Sequence, residues 1–266
     1  MIKLITTDID GTLVKDGNNQ LNPEYFDVIM KLKKQGIIFA AASGRQYESI
    51  VSIFAPIKED MIFIAENGAF VTCRDQVMSV SRIKKDTVRE IIQDMRTVSG
   101  GDIFMSGQLC GYIESKDKDY IDLLVNGYQN KIERVDDLLL VEQDCIKISL
   151  FHKEGAEEAA ESYIVPKWKD KMQVVSAGKE WVDIMNPNIN KGTAIRTIQE
   201  QLGISKEETM SFGDNLNDIE MLNHAKYSYA IGNAREEVKR TANYIADTNI
   251  NDGVLKVMKT LLKETI

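Results

Sequence analysis

Two acidic residues near the N-terminus are the first groups in the sequence that could do chemistry. Asp8 and Asp10 stand in the segment Asp8-Ile9-Asp10-Gly11-Thr12, and side chains two residues apart on an extended chain point the same way. Two close carboxylates repel each other unless a proton or a cation lies between them. Hard oxygen donors of this kind suit Mg²⁺, so the segment predicts a divalent-cation site, although an Asp-Gly turn with solvated acids has the same local sequence.

Two further segments carry groups that bind anions. Ser43-Gly44-Arg45 combines a hydroxyl, a backbone N–H and the start of a predicted helix, and these together form a cradle for phosphate. Lys191 opens another predicted helix. Because the helix dipole disfavours a cation at that end, a nearby anion such as a phosphoryl group would explain the lysine.

A fourth segment, Gly213–Asp218, again places acids after a predicted strand. Asp214 is positioned to complete a metal site with the first acidic pair, and Asn217 and Asp218 lie on the first helical turn behind it. Each of the four segments by itself is compatible with an ordinary turn, surface lysine or capped helix start. Their common placement indicates one site.

The predicted secondary structure explains that common placement. Short apolar runs without alternation are typical of strands covered on both faces, and helical periodicity separates them. Strands that alternate with helices form a parallel sheet, whose ligand crevice lies beyond the carboxyl ends of the strands. The predicted strands are Lys3–Thr7, Ile37–Ala42, Ile62–Ala65, Thr209–Phe212, Tyr227–Ala230 and Tyr244–Ala246.

The middle of the chain departs from this alternation. The pair Asn67-Gly68 predicts a two-residue type I′ hairpin turn, and short strands and helices follow in mixed order. Within this stretch Asp117–Gln129 predicts one helix and Ala156–Ile164 another. We therefore predict an α/β protein with a parallel-sheet core formed by residues 1–82 and 184–266, interrupted by an α+β insertion of residues 83–183, the inserted domain.

The composition excludes several classes of protein. The 266 residues include 33 Lys+Arg and 41 Asp+Glu, which gives a net charge of −8. This balance argues against a nucleic-acid partner and against docking on anionic lipid. No apolar run approaches the ~18 residues of a membrane span, and the N-terminal segment has no secretory signal pattern. We expect a cytoplasmic protein, monomer or homodimer, with no nucleic-acid and no membrane partner.

The cysteines and histidines form no pattern of their own. Cys73, Cys110 and Cys145 are widely spaced without a C-x-x-C pair, and His152 and His224 have no metal-ligand spacing. Structural zinc and a disulfide framework are therefore not expected.

The four segments, in this order, resemble the haloacid dehalogenase (HAD) superfamily of phosphohydrolases. The single large insertion between the second and third segments resembles a type-two cap, and Glu66–Ala69 and Asn251–Val254 resemble the Cof subfamily, subclass IIB, of sugar-phosphate phosphatases. The resemblance implies a Rossmann-like core with an α+β cap that determines substrate specificity. It also implies Mg²⁺-dependent hydrolysis of small phosphate esters, namely sugar phosphates, through an aspartyl-phosphate intermediate.

The resemblance further implies the role of each residue. Asp8 would be the nucleophile, and Asp10 would protonate the leaving oxygen and then activate water. Mg²⁺ would be held by the Asp8 carboxylate, the Asp10 backbone carbonyl and Asp214. The phosphoryl oxygens would be bound by the Ile9 N–H, Ser43, the Gly44 backbone, Lys191 and Asn217, with Thr12, Arg45 and Asp218 in support. Arg45 would either bind substrate or brace its loop, and we favour bracing.

Other functions are compatible with the same residues. A phosphomutase uses the same chemistry but retains the phosphoryl group. A sugar-phosphate-binding regulator would keep the pocket and lose turnover. An acidic scaffold protein that works through its inserted domain would not depend on Asp8 or Asp214.

Overall fold

Two β-sheets form the framework of the protein. The structure is a computed structural model that describes residues 1–15, 19–74, 76–176 and 179–263. In chain order its strands are β1 (Leu4–Asp8), β2 (Ile38–Ala42), β3 (Ile62–Ala65), β4 (Phe70–Cys73), β5 (Gln76–Val80), β6 (Asp102–Ser106), β7 (Gly111–Ile113), β8 (Ile132–Arg134), β9 (Lys147–Phe151), β10 (Gln173–Ser176), β11 (Trp181–Met185), β12 (Thr209–Gly213), β13 (Tyr227–Ala230) and β14 (Tyr244–Ile245).

The helices lie outside the two sheets. They are α1 (Glu24–Lys34), α2 (Tyr47–Ile53), α3 (Lys85–Met95), α4 (Lys118–Asp122), α5 (Ala156–Glu161), α6 (Ile164–Trp168), α7 (Lys191–Leu202), α8 (Ile219–Asn223), α9 (Glu236–Thr241) and α10 (Gly253–Lys263). No helix in the described ranges is both long and apolar enough to cross a membrane.

The first sheet has eight strands in the order β14-β13-β12-β1-β2-β3-β4-β5. All neighbours from β14 to β3 are parallel, whereas β4 and β5 are added antiparallel. Alternate residues of the central strands pack on opposite faces: Ile5 belongs to the core beneath α1, α2 and α10, and Leu4 belongs to the core beneath α7 and α8. This double burial is the reason that the strands read as unbroken apolar runs.

The second sheet has six strands in the order β10-β11-β9-β6-β7-β8, antiparallel except for β7 and β8. One face packs against α3, α5 and α6, and Ile148 and Leu150 of β9 are buried there. The prediction of an α/β parallel-sheet core with an α+β insertion is confirmed. The strand β11, the last of this sheet in chain order, ends at Met185, two residues beyond the predicted domain boundary at residue 183.

Three local predictions differ from the structure. The β3–β4 hairpin has no two-residue turn, because Ala65 pairs with Phe70 and four residues, Glu66–Ala69, connect them. The longer connection brings Asn67 against polar groups of the site described below. The predicted helix from Asp117 changes at Leu123 into a π-helical turn, and the helix predicted over 156–164 is divided into α5 and α6.

Candidate active site

The carboxyl ends of β1, β2 and β12 open into a cavity between the two sheets. The cavity has a volume of about 350 Å³. Both domains contribute to its wall, since its lining includes Asp8, Asp10, Ser43, Gly44, Arg45 and Asn217 from the first sheet's side and Phe104, Tyr128, Lys147, Ser149, Trp181 and Asp183 from the inserted domain. Three of the four predicted segments thus line one cavity at the edge of the sheet, and Lys191 of the remaining segment contacts Asp8 there.

Three carboxylates meet at Asp8, which lines this cavity. One oxygen from each of Asp8, Asp214 and Asp218 lies within 4.8 Å of the others. The Nζ atom of Lys191 is 2.5 Å from Asp8 Oδ1 and 2.6 Å from Asp218 Oδ1. The other Asp8 oxygen, Oδ2, is buried and has no hydrogen-bond partner among the described residues. One lysine against three acids leaves an excess of negative charge here.

Burial controls the electrostatics of this cluster. It raises the pKa of Asp8 well above its ordinary value, and the neighbouring Asp218 raises it further, whereas Lys191 lowers it. Burial by itself would lower the pKa of Lys191, but Asp218 and Asp8 together raise it above its ordinary value. The lysine is therefore positively charged. The buried Oδ2 atom, the oxygen-only donor set and the excess negative charge fit a hard divalent cation such as Mg²⁺.

The loop after β1 and the loop after β12 fit closely together. Gly11 has a φ of +80°, and a Cβ atom on it would lie 2.3 Å from Asp214 Oδ2. Thr12 Oγ1 donates a hydrogen bond of 2.7 Å to Asp214 Oδ1. Asp218 Oδ2 accepts hydrogen bonds of 3.0 Å from the backbone N–H groups of Asp214 and Asn215. Gly11, which leaves room for the carboxylate, and the hydrogen bonds of Thr12 and Asp218 thus fix the position of Asp214.

Asp10 lies apart from the three-carboxylate cluster. Its carboxylate accepts two hydrogen bonds from Arg45, of 2.8 Å from Nε and 2.5 Å from Nη2. Arg45 also donates to Asn19 and lies over the ring of Tyr128 at 5.6 Å. The guanidinium is buried, so its position suits bracing of Asp10 and the loop more than direct contact with substrate.

The predicted phosphate-binding residues lie around the same mouth. Ser43 Oγ accepts a hydrogen bond of 3.1 Å from the Arg45 N–H, and a Cβ atom on Gly44 would lie 3.1 Å from Asn67 Nδ2. Asn217 Nδ2 donates to Asn67 Oδ1 at 3.0 Å. Ile9 follows Asp8 directly and is fully buried.

Sequence reasoning missed the polar residues that the inserted domain contributes. Lys147 Nζ is 2.5 Å from Glu66 Oε2, 2.6 Å from the Gly44 carbonyl oxygen and 3.1 Å from Asp183 Oδ2. Asp183 Oδ1 also accepts a 2.7 Å hydrogen bond from Ser149 Oγ. The alternation of polar and apolar residues along β9 was the available signal, since it predicts one polar face.

The asparagine of the β3–β4 connection joins the two domains. Asn67 Nδ2 donates to Asp183 Oδ2 at 3.1 Å, while its Oδ1 accepts from Asn217. Its backbone N–H donates to the Ser43 carbonyl oxygen at 2.9 Å. Asn67 thus connects the inserted domain to two of the predicted phosphate-binding residues.

Comparison with known proteins places the chain among phosphatases. A family model described as haloacid dehalogenase-like hydrolase matches residues 5–258. The chain is 30% identical to the 5-amino-6-(5-phospho-D-ribitylamino)uracil phosphatase YbjI of Escherichia coli (strain K12), over 98% of this chain and 97% of that protein. It is 26% identical to YcsE of Bacillus subtilis (strain 168), which carries the same activity name, over 97% and 95% of the two chains.

Solved structures agree with these matches. A structure from Eubacterium rectale has a TM-score of 0.89 and 37% identity over 98% of this chain and 99% of that one. The HAD subclass IIB sugar phosphatase BT4131 has a TM-score of 0.84 and 25% identity over 97% and 98%.

Fold, site and matches together define a phosphohydrolase with an inserted cap. The chain belongs to the haloacid dehalogenase-like hydrolase family. It is an enzyme, a phosphatase that acts on phosphorylated substrates, and the resemblance noted in the sequence is confirmed at this level.

Proposed function

We propose that the protein is a Mg²⁺-dependent phosphatase of small phosphorylated metabolites that works through an aspartyl phosphate on Asp8. The observation that carries the proposal is the Asp8 carboxylate, which lies at the cavity floor with Oδ1 held by Lys191 and Oδ2 without a protein partner among the described residues. A nucleophile needs an oxygen that no protein group occupies, held in a fixed orientation.

The metal-binding groups in this proposal are Asp8, the Asp10 backbone carbonyl and Asp214, with Asp218 orienting the Asp214 loop through its two backbone hydrogen bonds. When bound there, Mg²⁺ would offset the repulsion between the carboxylate and the phosphoryl oxygens. Lys191 contributes positive charge from the other side of Asp8.

The proposed reaction has two steps. A carboxylate oxygen of Asp8 attacks phosphorus, the bond from phosphorus to the ester oxygen breaks, and the Asp10 carboxyl group gives its proton to the departing oxygen. Water then attacks phosphorus with loss of a proton to Asp10, the bond to Asp8 breaks, and inorganic phosphate leaves. Arg45 orients Asp10 for both proton transfers through its two hydrogen bonds.

We propose that the phosphoryl group is held by the Ile9 N–H, Ser43, the Gly44 backbone, Lys191 and Asn217, and that the inserted domain covers it as a cap. Closure of both domains around the site excludes water and favours phosphoryl transfer to Asp8. Sugar phosphates are the proposed substrates, as the resemblance to subclass IIB implies. The phosphoribityl ester named for YbjI also contains a polyhydroxylated chain.

The test compares wild type with D8N and D10N in a panel of phosphorylated metabolites and p-nitrophenyl phosphate. We expect D8N to lower the rate of phosphate release by about 10³-fold or more on every ester, because it removes the nucleophile. D10N should spare the first step with p-nitrophenyl phosphate, measured as the initial burst of nitrophenolate, because nitrophenolate leaves without a proton, whereas phosphate release should be slow on every ester because the second step loses its base. Chelation of Mg²⁺ should abolish turnover by wild type.

Several outcomes would contradict the proposal. D8N at the wild-type rate would exclude Asp8 as nucleophile, and unchanged turnover after chelation would exclude the metal. A hydroxylamine-sensitive phosphoprotein should form in wild type and be absent in D8N. Isomer formation without release of phosphate would indicate a phosphomutase, and tight binding without turnover would indicate a regulator.

A further inference from the structure

Gln46 carries an unused hydrogen-bond donor at the edge of the cavity. It directly precedes α2, is 2% exposed, and lines the cavity that contains Asp8 and Asp10. Its Oε1 atom accepts a hydrogen bond of 2.9 Å from the backbone N–H of Lys131 in the inserted domain. That bond fixes the orientation of the side-chain amide, and the Nε2 atom is left buried without a partner in the described part of the chain.

Asn130 supplies the complementary group. It precedes Lys131, so its side chain belongs to the segment that is bonded to Gln46, and it lines the same cavity. Its backbone N–H is used, in a 2.9 Å bond to the Leu124 carbonyl oxygen. The side-chain Oδ1 atom is buried and has no hydrogen-bond partner within the described ranges.

Buried polar atoms in folded proteins nearly always have a partner, so unused atoms in this cavity call for an explanation. Among the cavity-lining residues in the described ranges, the unused atoms of Asp8 and Glu66 belong to carboxylates, whereas those of Gln46 and Asn130 belong to neutral amides. One is an amide donor and the other an amide acceptor. A hydroxyl group satisfies both, since it accepts one hydrogen bond and donates another. An apolar leaving group would bury both atoms without compensation.

We propose that Gln46 and Asn130 are specificity-determining residues that bind a hydroxyl group on the leaving group of the substrate. Gln46 Nε2 donates to the hydroxyl oxygen, and the hydroxyl hydrogen is donated to Asn130 Oδ1. The inference rests on the proposed phosphatase function and names the two residues that would select hydroxylated leaving groups over apolar ones. Because one residue comes from each domain, the hydroxyl is bound only when the inserted domain covers the site.

The experiment uses two esters with the same five-carbon chain, ribitol 5-phosphate and pentyl phosphate, which differ in their hydroxyl groups. The readout is the ratio of kcat/KM for the first ester to kcat/KM for the second, with Mg²⁺ present. We expect wild type to prefer ribitol 5-phosphate. Q46E and N130L should each lower the ratio by about 10- to 100-fold, because a site built to bond a hydroxyl discriminates strongly against its absence.

The variants separate recognition from support of the fold. Q46E keeps the oxygen that accepts from Lys131 and lacks the donor, and its new charge acts on both phosphate esters alike, so it cancels in the ratio. N130L removes the acceptor, whereas N130D keeps an acceptor oxygen and should keep the preference. Circular dichroism of each variant reports whether the fold is retained.

The outcomes distinguish failure of this inference from failure of the proposed phosphatase function. If wild type hydrolyses p-nitrophenyl phosphate but shows no preference for ribitol 5-phosphate, or if Q46E and N130L leave the ratio unchanged, the inference is wrong and the phosphatase proposal stands. If wild type releases phosphate from none of the three esters, both are wrong.

Discussion

At the scale of single residues, Gly11 illustrates how closely the acid cluster is constrained. Its backbone φ of +80° is one that residues with a Cβ atom adopt only with strain, and that atom would overlap Asp214 Oδ2. Gly36 has a similar φ of +83°, yet a Cβ atom there would meet nothing within 4 Å. A substitution at Gly36 therefore tests backbone strain alone, whereas a substitution at Gly11 adds displacement of the Asp214 carboxylate.

We predict different outcomes for G11A and G36A. G36A should lower the free energy of unfolding by about 1 kcal/mol through strain alone. G11A should lower it by about 3 kcal/mol or more, because a steric overlap is added to the strain, and it should raise the Mg²⁺ concentration needed for half-maximal activity. Urea denaturation and a Mg²⁺ titration of turnover measure both effects. Equal losses in the two variants would show that Asp214 is not constrained by Gly11.

At the scale of secondary-structure elements, β9 connects the two sheets through a buried ion-pair network. The side chain of Lys147 is 6% exposed and that of Glu66 is 1% exposed. Burial raises the pKa of Glu66, an effect that Lys147 opposes. Since Lys147 also contacts the Gly44 carbonyl oxygen, the network positions the predicted phosphate loop against the inserted domain.

We predict that K147M lowers the free energy of unfolding by about 3 kcal/mol, because it leaves buried carboxylates without their counter-charge. The matched control is K153M, since Lys153 pairs with Asp117 on the surface with side chains 54% and 40% exposed. Such exposed pairs contribute at most about 1 kcal/mol. Urea denaturation measures both, and the double variant E66Q K147M should recover part of the loss. No recovery would mean that Glu66 and Lys147 are not coupled.

The parallel strands of the first sheet were predictable because the signal is local. The runs at β2 and β3 are apolar on both faces, so composition marks them, while β1 and β12 combine apolar residues with buried Thr and Ser. β11 was missed because Asp183 interrupts its apolar residues, and that acid is buried only because Lys147 and Ser149 of β9 meet it. The division between α5 and α6 has a breaker in the sequence that the helix prediction did not use: Pro166 has no N–H to donate to the carbonyl of Ser162, where the helix divides.

At the scale of the whole molecule, the pairing of the two central strands begins with an ion pair. Lys3 lies before β1 and Glu208 before β12, and the two side chains are 2.6 Å apart. The hydrogen bond from Lys3 and that from the Ser205 N–H lower the pKa of Glu208 from 4.5 to about 2. A carboxyl group whose pKa is lower in the folded state stabilises the fold above its unfolded pKa and loses this contribution as the pH falls.

We therefore predict that E208Q is less stable than wild type at neutral pH and that the difference shrinks as the pH falls from 4.5 to about 2. Urea midpoints measured across this range test it. K3M should remove much of the same pH dependence, because Lys3 is the principal cause of the lowered pKa. A difference between wild type and E208Q that stays constant with pH would contradict the assignment.

The sequence by itself was sufficient for the sheet edge and for the groups gathered there. Asp8, Ser43 and Asp214 lie at the ends of strands that the sequence predicts to be buried. Because these strands are parallel, their carboxyl ends lie at the same edge of the sheet. Local interactions act over a few residues, so residue type and spacing are enough to predict them.

Only the tertiary structure shows which side chains from distant parts of the chain are in contact. Lys147, Glu66 and Asp183 are far apart in the chain, yet their side chains are in contact. Gln46 and Asn130 are also distant in the chain, yet both line the same cavity. Likewise Asp218, rather than the Asp10 side chain, joins the three-carboxylate cluster. Such contacts depend on how the inserted domain packs over the core, and that packing is the sum of many long-range interactions that no single stretch of sequence encodes.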